Sequence, residues 1–223
     1  MTRDTVFAVG GTVQERERWS DTFKGRVAWL DDDQLDAASS ASLVVEISLG
    51  PLTDKRRRLR ELANRRVKRI VSAASTATVH AQRIWMDESV PILGLDPLLV
   101  MAGGRTQTVS GSDDMLPWLH DLWPDWAFRR VDDTVGLIFS REILPIINEA
   151  AAFFEQGLTA RDIDQGVRLG LNYPRGPIQW AEHFGWPAVY WGLRALEDMY
   201  GPRFRPHPWI RREVGSSLVE REE

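Results

Sequence analysis

The chain has 223 residues, 43% hydrophobic and 27% charged, with a net charge of −4: room for one large globular domain or two modest ones, and no basic surplus for nucleic acid or an anionic membrane. It holds no cysteine, which excludes disulfides, thiolate nucleophiles and cysteine-ligated metals. No apolar run approaches the roughly 20 residues that span a bilayer, and Met1-Thr2-Arg3-Asp4 lacks the apolar stretch of a signal peptide, so a cytoplasmic protein is expected.

In chain order, Thr5 to Val9 is a short apolar run closed by Gly10-Gly11 and predicts a buried strand and a turn. Thr12 to Phe23 is polar and helix-compatible, and Arg26 to Leu30 is a second strand, ended by the acidic turn Asp31-Asp32-Asp33. Ala41 to Ile47 is a nearly continuous β-branched run, the pattern of a strand covered on both faces of a parallel sheet. Pro51 to Arg66 predicts a charged helix with Leu52, Leu59 and Leu62 at helical spacing, and Arg69 to Ser72 and Pro91 to Leu95 predict two more strands. Strands alternating with helices argue for an open α/β sheet. The pattern changes near Ser110. Beyond Thr134 it becomes helical: Val135 to Gln156, apolar on more than one face, then Arg161 to Leu169, Pro177 to Phe184 and Trp186 to Met199. The acidic tail after Gly215 is expected to fray. Most of the ten tryptophans lie late in the chain, which points to large aromatic anchors in the second half.

Within that second half a set of motifs falls in order. They are Gly136-Leu137-Ile138-Phe139-Ser140-Arg141, Asn148-Glu149-Ala150, Glu155-Gln156-Gly157, Arg161-Asp162-Ile163-Asp164, Leu169-Gly170-Leu171-Asn172-Tyr173-Pro174-Arg175-Gly176-Pro177, Glu182-His183-Phe184-Gly185 and Gly201-Pro202-Arg203-Phe204-Arg205-Pro206. Together they resemble the C-terminal helical domain of the 3-hydroxyacyl-CoA dehydrogenase family. The resemblance implies a domain that holds an acyl chain and builds a homodimer. Read without it, the same residues are helix caps and turns: Asp162 or Thr159 can cap the helix that follows, and Pro174, Gly176 and Pro177 fix a rigid turn.

The first half resembles the family's dinucleotide-binding domain in shortened form. Ser42-Leu43-Val44-Val45-Glu46 resembles a strand reading Asp-Leu-Val-Ile-Glu, and Lys55 with the arginines after it resembles the next helix. Arg69 to Thr78 resembles a strand end reading Ser-Asn-Thr-Ser-Ser, and Gly94-Leu95-Asp96 resembles a Gly-x-His. An NAD site of this kind needs Gly-x-Gly-x-x-Gly, so that backbone can approach the pyrophosphate, and an acidic residue about 20 residues on for the ribose. Here the loop is Gly10-Gly11-Thr12-Val13-Gln14, one residue short between the first two glycines and with Gln14 at the third. Asp31 fits the ribose acid by count, but the alignment favours placing it after a later strand, with the ribose-binding strand deleted. The family's catalytic His corresponds to Asp96, its Glu to Thr108 or Gln107 and its Asn to Ser140; only Ser75 matches. An ordinary Asp, with a pKa of about 3.9, accepts a proton from an alcohol poorly.

Other constellations read as structure. His80, His120, His183 and His207 show no metal spacing. The basic stretch Arg56-Arg57-Arg58, with Arg60, Arg65, Arg66, Lys68 and Arg69, could attract the phosphates of coenzyme A but reads better as a solvated helix face. Asp31 to Asp33 reads as a turn and helix cap, and Gly103-Gly104 as a tight turn or a place of ligand approach.

The expected fold is α/β plus all-α: an abbreviated Rossmann-like parallel sheet over residues 1–125, then a helical domain over 126–223 of the 3-hydroxyacyl-CoA dehydrogenase type, similar to the 6-phosphogluconate dehydrogenase C-terminal domain. The candidate site is Ser75, Asp96 and Ser140, with Gly10 and Gly11 as a degenerate cofactor loop and no metal. No bound cofactor is expected, the family's being NAD. Expected partners are a second copy of the chain and an acyl-CoA ligand, with neither nucleic acid nor membrane. The preferred function is a catalytically degenerate family member that binds acyl-CoA or a protein. The alternatives are an active NAD-dependent L-3-hydroxyacyl-CoA dehydrogenase, and different chemistry in a retained cleft that uses Asp96 and Ser75.

Overall fold

The computed structural model describes residues 5–88 and 90–219, and divides into two compact units, 1–139 and 140–223. The start of the chain and its last four acidic-tail residues, 220–223, lie outside the described residues. Among the described residues no helix is long and apolar enough to cross a membrane.

The first unit is built on a seven-stranded sheet: β1 (Val6–Val9), β2 (Ala28–Leu30), β3 (Leu43–Glu46), β4 (Ile70–Ala73), β5 (Ile92–Leu95), β6 (Thr106–Gly111) and β7 (Ala127–Arg130), in the spatial order β2-β1-β3-β4-β5-β6-β7. The first five are parallel, β6 runs antiparallel to β5, and β7 runs parallel to β6. Strands β3, β4 and β5 are buried at every position, as their unbroken apolar runs require. The helices of this unit are α1 (Val13–Phe23), α2 (Leu52–Asn64), α3 (Val79–Trp85), α4 (Pro97–Met101) and α5 (Leu116–Leu122). One core gathers Val9, Leu30, Leu35, Val44, Leu59, Leu62, Ile70 and Ile92. A second is aromatic: Trp123 stacks on Phe23 and Trp126 and lies 6.4 Å from Trp19. Three of the late tryptophans, Trp118, Trp123 and Trp126, thus serve the first unit.

Two expectations change. The sheet continues beyond residue 125, because β7 pairs with β6 from Thr106↔Ala127 to Val109↔Arg130, so the first unit runs to Phe139. The strand expected to be deleted is present. Strand β2 pairs with β1 on the side opposite β3, from Phe7↔Ala28 to Val9↔Leu30, which is the ribose-strand position of a doubly wound sheet. The shortening lies after it: a 3-10 stretch, Asp32–Ser40, leads directly from β2 to β3 with no further strand.

The second unit holds α6 (Phe139–Glu155), α7 (Ala160–Leu171), α8 (Pro177–Phe184), α9 (Trp186–Tyr200), a 3-10 turn at Pro202–Phe204 and α10 (Pro208–Val219). Helix α6 starts four residues later than its apolar pattern suggests, since Gly136 (φ 77°) and Leu137 (φ 44°) are left-handed and cannot continue a helix backwards. Helix α10 runs past Gly215 to Val219, so that part of the tail is helical rather than frayed.

The ordered motifs of this unit have visible work. Thr159 caps α7 in a capping box with Asp162. Asp164 is buried and accepts the backbone N–H groups of Ile178 (2.8 Å) and Gln179 (3.2 Å) at the start of α8. A Cβ on Gly176 would lie 2.2 Å from that carboxylate, which is why the turn needs glycine. Asn148 donates to the Arg205 carbonyl (2.9 Å) and accepts the His207 N–H (2.8 Å), tying α6 to the segment before α10.

Candidate cofactor and substrate sites

The loop from β1 to α1 sits at the β1–β3 switch point, the place where open α/β sheets bind ligands. Gly10 (φ 78°) and Gly11 (φ 75°) are both left-handed, so the loop does require glycine. What approaches them, however, is the protein itself. A Cβ on Gly10 would lie 3.0 Å from the Arg58 guanidinium and 3.1 Å from the Glu46 carboxylate, and one on Gly11 would lie 2.6 Å from Ile47 and 3.2 Å from Glu15. The N-terminus of α1 is closed in the same way. Thr12 N–H donates to Glu15 Oε2 (2.6 Å), and Glu15 N–H donates to Thr12 Oγ1 (3.3 Å). Glu15 is 4% exposed. Burial pushes its carboxyl up to about 7, against the two Thr12 hydrogen bonds, which favour the charged form, while Glu46 adds repulsion.

Behind the loop lies a buried ionic network. Glu46, at the end of β3, accepts from Lys55 Nζ, from Ser48 Oγ and backbone N–H (3.0 Å) and from Ser72 Oγ (3.1 Å). Arg58 reaches Ser48 Oγ (3.0 Å) and Glu46 (3.5 Å) and forks onto Asp32 at 2.7 and 3.1 Å. Burial alone would raise Glu46, but Lys55 and Arg58 outweigh it and hold the carboxyl below its ordinary range. Burial pulls the Lys55 ammonium below the lysine range despite Glu46. Asp31 follows β2 directly and pairs with Arg16 Nη1 (2.7 Å), whose Nε donates to the Gly10 carbonyl (3.0 Å). A dinucleotide needs an open helix N-terminus and room beside the glycines for two phosphates. Here the carboxylate of Glu15 takes the first, and the side chains of Arg58 and Ile47 crowd the Cβ side of the two glycines, so the loop departs from the usual dinucleotide cradle.

Ser75 and Asp96 follow neighbouring strands at the same edge of the sheet. Ala73 pairs with Leu95, and Ala74 N–H donates to the Leu95 carbonyl at 2.9 Å. Both side chains are buried. Asp96 also has a structural task, because its carboxylate caps α4 through Leu99 N–H (3.3 Å) with Pro97 at the first helical position. Gly94 is required by packing: its Cβ would lie 2.6 Å from Val79 and 2.9 Å from Ala74. Thr76, next to Ser75, keeps a buried hydroxyl with no hydrogen-bond partner, the kind of group a ligand would satisfy. Gln107 donates to the Gly104 carbonyl (2.6 Å) and Thr108 has a buried, unpartnered hydroxyl; neither is a carboxylate that could orient a general base. Ser140 opens α6 in the second unit and is buried. The basic stretch is mostly exposed, with Arg56, Arg57, Arg60, Arg66 and Lys68 on the solvent side, while Arg58 is buried on Asp32 and Arg65 pairs with Asp36. Among the described residues no group of three His, Asp or Glu could hold a metal ion.

Glu15, Lys55 and Arg58 do not stand out in the sequence as site-forming groups. One signal was available: Glu46 ends a buried apolar strand, and a buried carboxylate demands a cationic partner nearby in space.

A doubly wound sheet followed by a helical unit with these caps and turns defines an α/β-plus-helical two-unit fold. The family described as "3-hydroxyacyl-CoA dehydrogenase, C-terminal domain" matches residues 136–223, and the chain is similar to that family over this domain. It is 36% identical over 87 residues to the 3-hydroxyadipyl-CoA dehydrogenase of Escherichia coli (strain K12), covering 38% of this chain and 18% of that protein. It is 33% identical over 86 residues to a probable 3-hydroxybutyryl-CoA dehydrogenase of Bacillus subtilis (strain 168), covering 38% of this chain and 30% of that one. The chain thus spans less than a third of the length of either relative. In fold, the crystal structure of (S)-3-hydroxybutyryl-CoA dehydrogenase from Ralstonia eutropha superposes with a TM-score of 0.67 at 18% identity, over 97% of this chain and 95% of that one.

Proposed function

We propose that this protein binds the coenzyme A thioester of a 3-hydroxy or 3-oxo acid and carries out no NAD-dependent oxidation of it, with a cytoplasmic location and a second copy of the chain as partner. The match of residues 136–223 to the family's C-terminal domain supports the thioester. The observation that carries the loss of redox chemistry is Glu15 at the N-terminus of α1, hydrogen-bonded to Thr12 at 2.6 Å beside Gly10 and Gly11. Asp96, in place of a His and engaged as a helix cap, supports the same reading. Ser75 and Asp96 are the residues of the first unit proposed to meet the acyl end.

A second reading has specific support. The relatives are named as dehydrogenases, and taken alone they favour NAD-dependent oxidation of a 3-hydroxyacyl-CoA. Asp31 at the end of β2 also keeps the ribose-acid position. Calorimetric titration separates the two. Acetoacetyl-CoA should bind and NADH should give no saturable heat up to about 1 mM, a level equivalent to about −4 kcal/mol. A micromolar NADH constant, or NADH oxidation with acetoacetyl-CoA, would establish the second reading instead.

A further inference from the structure

Glu15 is the one buried residue in the first turn of α1. Val13 and Gln14 are exposed, Thr12 and Arg16 are half-buried, and the next buried residue is Trp19. The turn is therefore held down through a carboxyl group, which accepts Thr12 N–H at 2.6 Å. The other attachments are light: the Thr12 hydroxyl on Glu15 N–H (3.3 Å) and Arg16 Nε on the Gly10 carbonyl (3.0 Å). Segments with few buried apolar contacts open locally while the core stays folded, and this turn buries no apolar side chain before Trp19.

The charges around Glu15 decide what its proton does. Glu46 faces it from β3 and repels its charge, and Lys55 faces it from α2 and attracts it. Lys55 is already hydrogen-bonded to Glu46, and Arg58, also on α2, forks onto Asp32. Arg16 is turned to Asp31, which follows β2. Helix α4, packed on α1, has no titratable side chain within it, and its capping Asp96 accepts Leu99 N–H. The α5 segment meets α1 through Trp123 on Trp19 and Phe23, beyond this turn. The cations behind the loop thus already have carboxylate partners. A neutral Glu15 suits its place; an ionised one is a second buried carboxylate beside Glu46 and is drawn to water. We propose that Glu15 is a pH-operated latch on the β1–α1 connection: protonated, it holds the first turn of α1 down, and on losing its proton it releases that turn to solvent while the sheet and α2 stay folded. Opening leaves Arg58 and Ile47 against the glycines, so the latch rests on neither the thioester nor the cofactor reading above.

The test is amide hydrogen exchange by NMR on the full chain, wild type and E15Q, at pH 5, 6, 7 and 8, in 0 and 1 M urea. Each rate is divided by the intrinsic rate at its pH, and circular dichroism verifies that E15Q is folded. The amides to follow are Thr12 and Arg16, which bond Glu15 Oε2 and the Thr12 carbonyl, against Val44 and Ile70 in the sheet. Opening releases a proton held at about 7 when closed and near 4.5 in water, so wild-type protection at Thr12 and Arg16 should fall at least about tenfold from pH 5 to 8. E15Q should stay level, and urea should lower protection at Val44 and Ile70 but not at Thr12 and Arg16. The proposal is overturned if protection at Thr12 and Arg16 does not change with pH, or if it falls equally in E15Q. It is also overturned if urea lowers it as much as at Val44 and Ile70, because exchange there would then require global unfolding and no separate latch would exist.

Discussion

Glu15 makes the stability of the fold depend on pH. Its carboxyl sits near 4.5 when exposed and at about 7 when buried under the glycine loop. The folded state therefore holds the proton more tightly than the unfolded chain. The stabilisation is full below about pH 4.5 and is lost as pH rises through 7. Each tenfold change in proton affinity is about 1.4 kcal/mol, so the loss approaches roughly 3 kcal/mol. The substitution Glu15→Gln keeps the capping box, since Gln also closes it, and removes the titration. Urea denaturation of wild type and E15Q at pH 5, 6, 7 and 8 reads the effect. The two curves should differ by roughly 1 kcal/mol at pH 5 and separate to roughly 3 kcal/mol in favour of E15Q by pH 8. Every other titrating group is common to both proteins and cancels in the difference. Parallel curves across the range would refute the reasoning, because they would mean that Glu15 is ionised in the folded state at acid pH or reaches water.

Lys55→Met strands the fully buried Glu46 carboxylate and should cost about 3–5 kcal/mol in urea, much of it recovered by adding Glu46→Gln. Gly176→Ala drives a Cβ to within 2.2 Å of the Asp164 carboxylate and so removes the cap of α8; a loss of more than about 2 kcal/mol is expected, and an unchanged urea midpoint would contradict that account. Leu169 and Leu171 are 77% and 62% exposed on α7, and sedimentation at micromolar concentration should show a species of twice 25.4 kDa, against which a clean monomer at every concentration would count.

The parts of the fold legible in the sequence are those whose patterns are dictated by burial. Strands β3 to β5 were visible because a strand covered on both faces must be apolar throughout, β1 and β2 as short apolar runs closed by a glycine or acidic turn, and α6, α8 and α9 because their faces repeat at helical spacing. Strands β6 and β7 were not. Thr-Gln-Thr-Val-Ser-Gly and Ala-Phe-Arg-Arg are polar, and β7 forms the exposed edge, where nothing forces an apolar pattern. Helices α3, α4 and α5, of five to seven residues, are too short for a period to declare itself. In the site, glycine spacing gave the right place and the wrong topology. Counting to Asp31 pointed to the ribose position, while alignment to a longer sheet moved it elsewhere, and the pairing of β2 with β1 restores the count.

The shortened connection after β2 and the filled glycine loop are one event in physical terms. Because the chain goes from β2 to β3 through a single 3-10 stretch, Asp32 is brought beneath α2, where it takes both Arg57 and Arg58. That fork fixes the Arg58 guanidinium, which then lies against Gly10 and Ser48 and closes the Glu46–Lys55 pair from the loop side. Arg16 does the same from α1, holding the Gly10 carbonyl and Asp31 together. A Gly placed at Gln14 would restore the third glycine of the motif, yet it would leave Glu15, Arg58 and Ile47 where they are. On the reading proposed above, repairing the glycine pattern alone should therefore not restore NADH binding, and saturable NADH binding by Gln14→Gly would count against it.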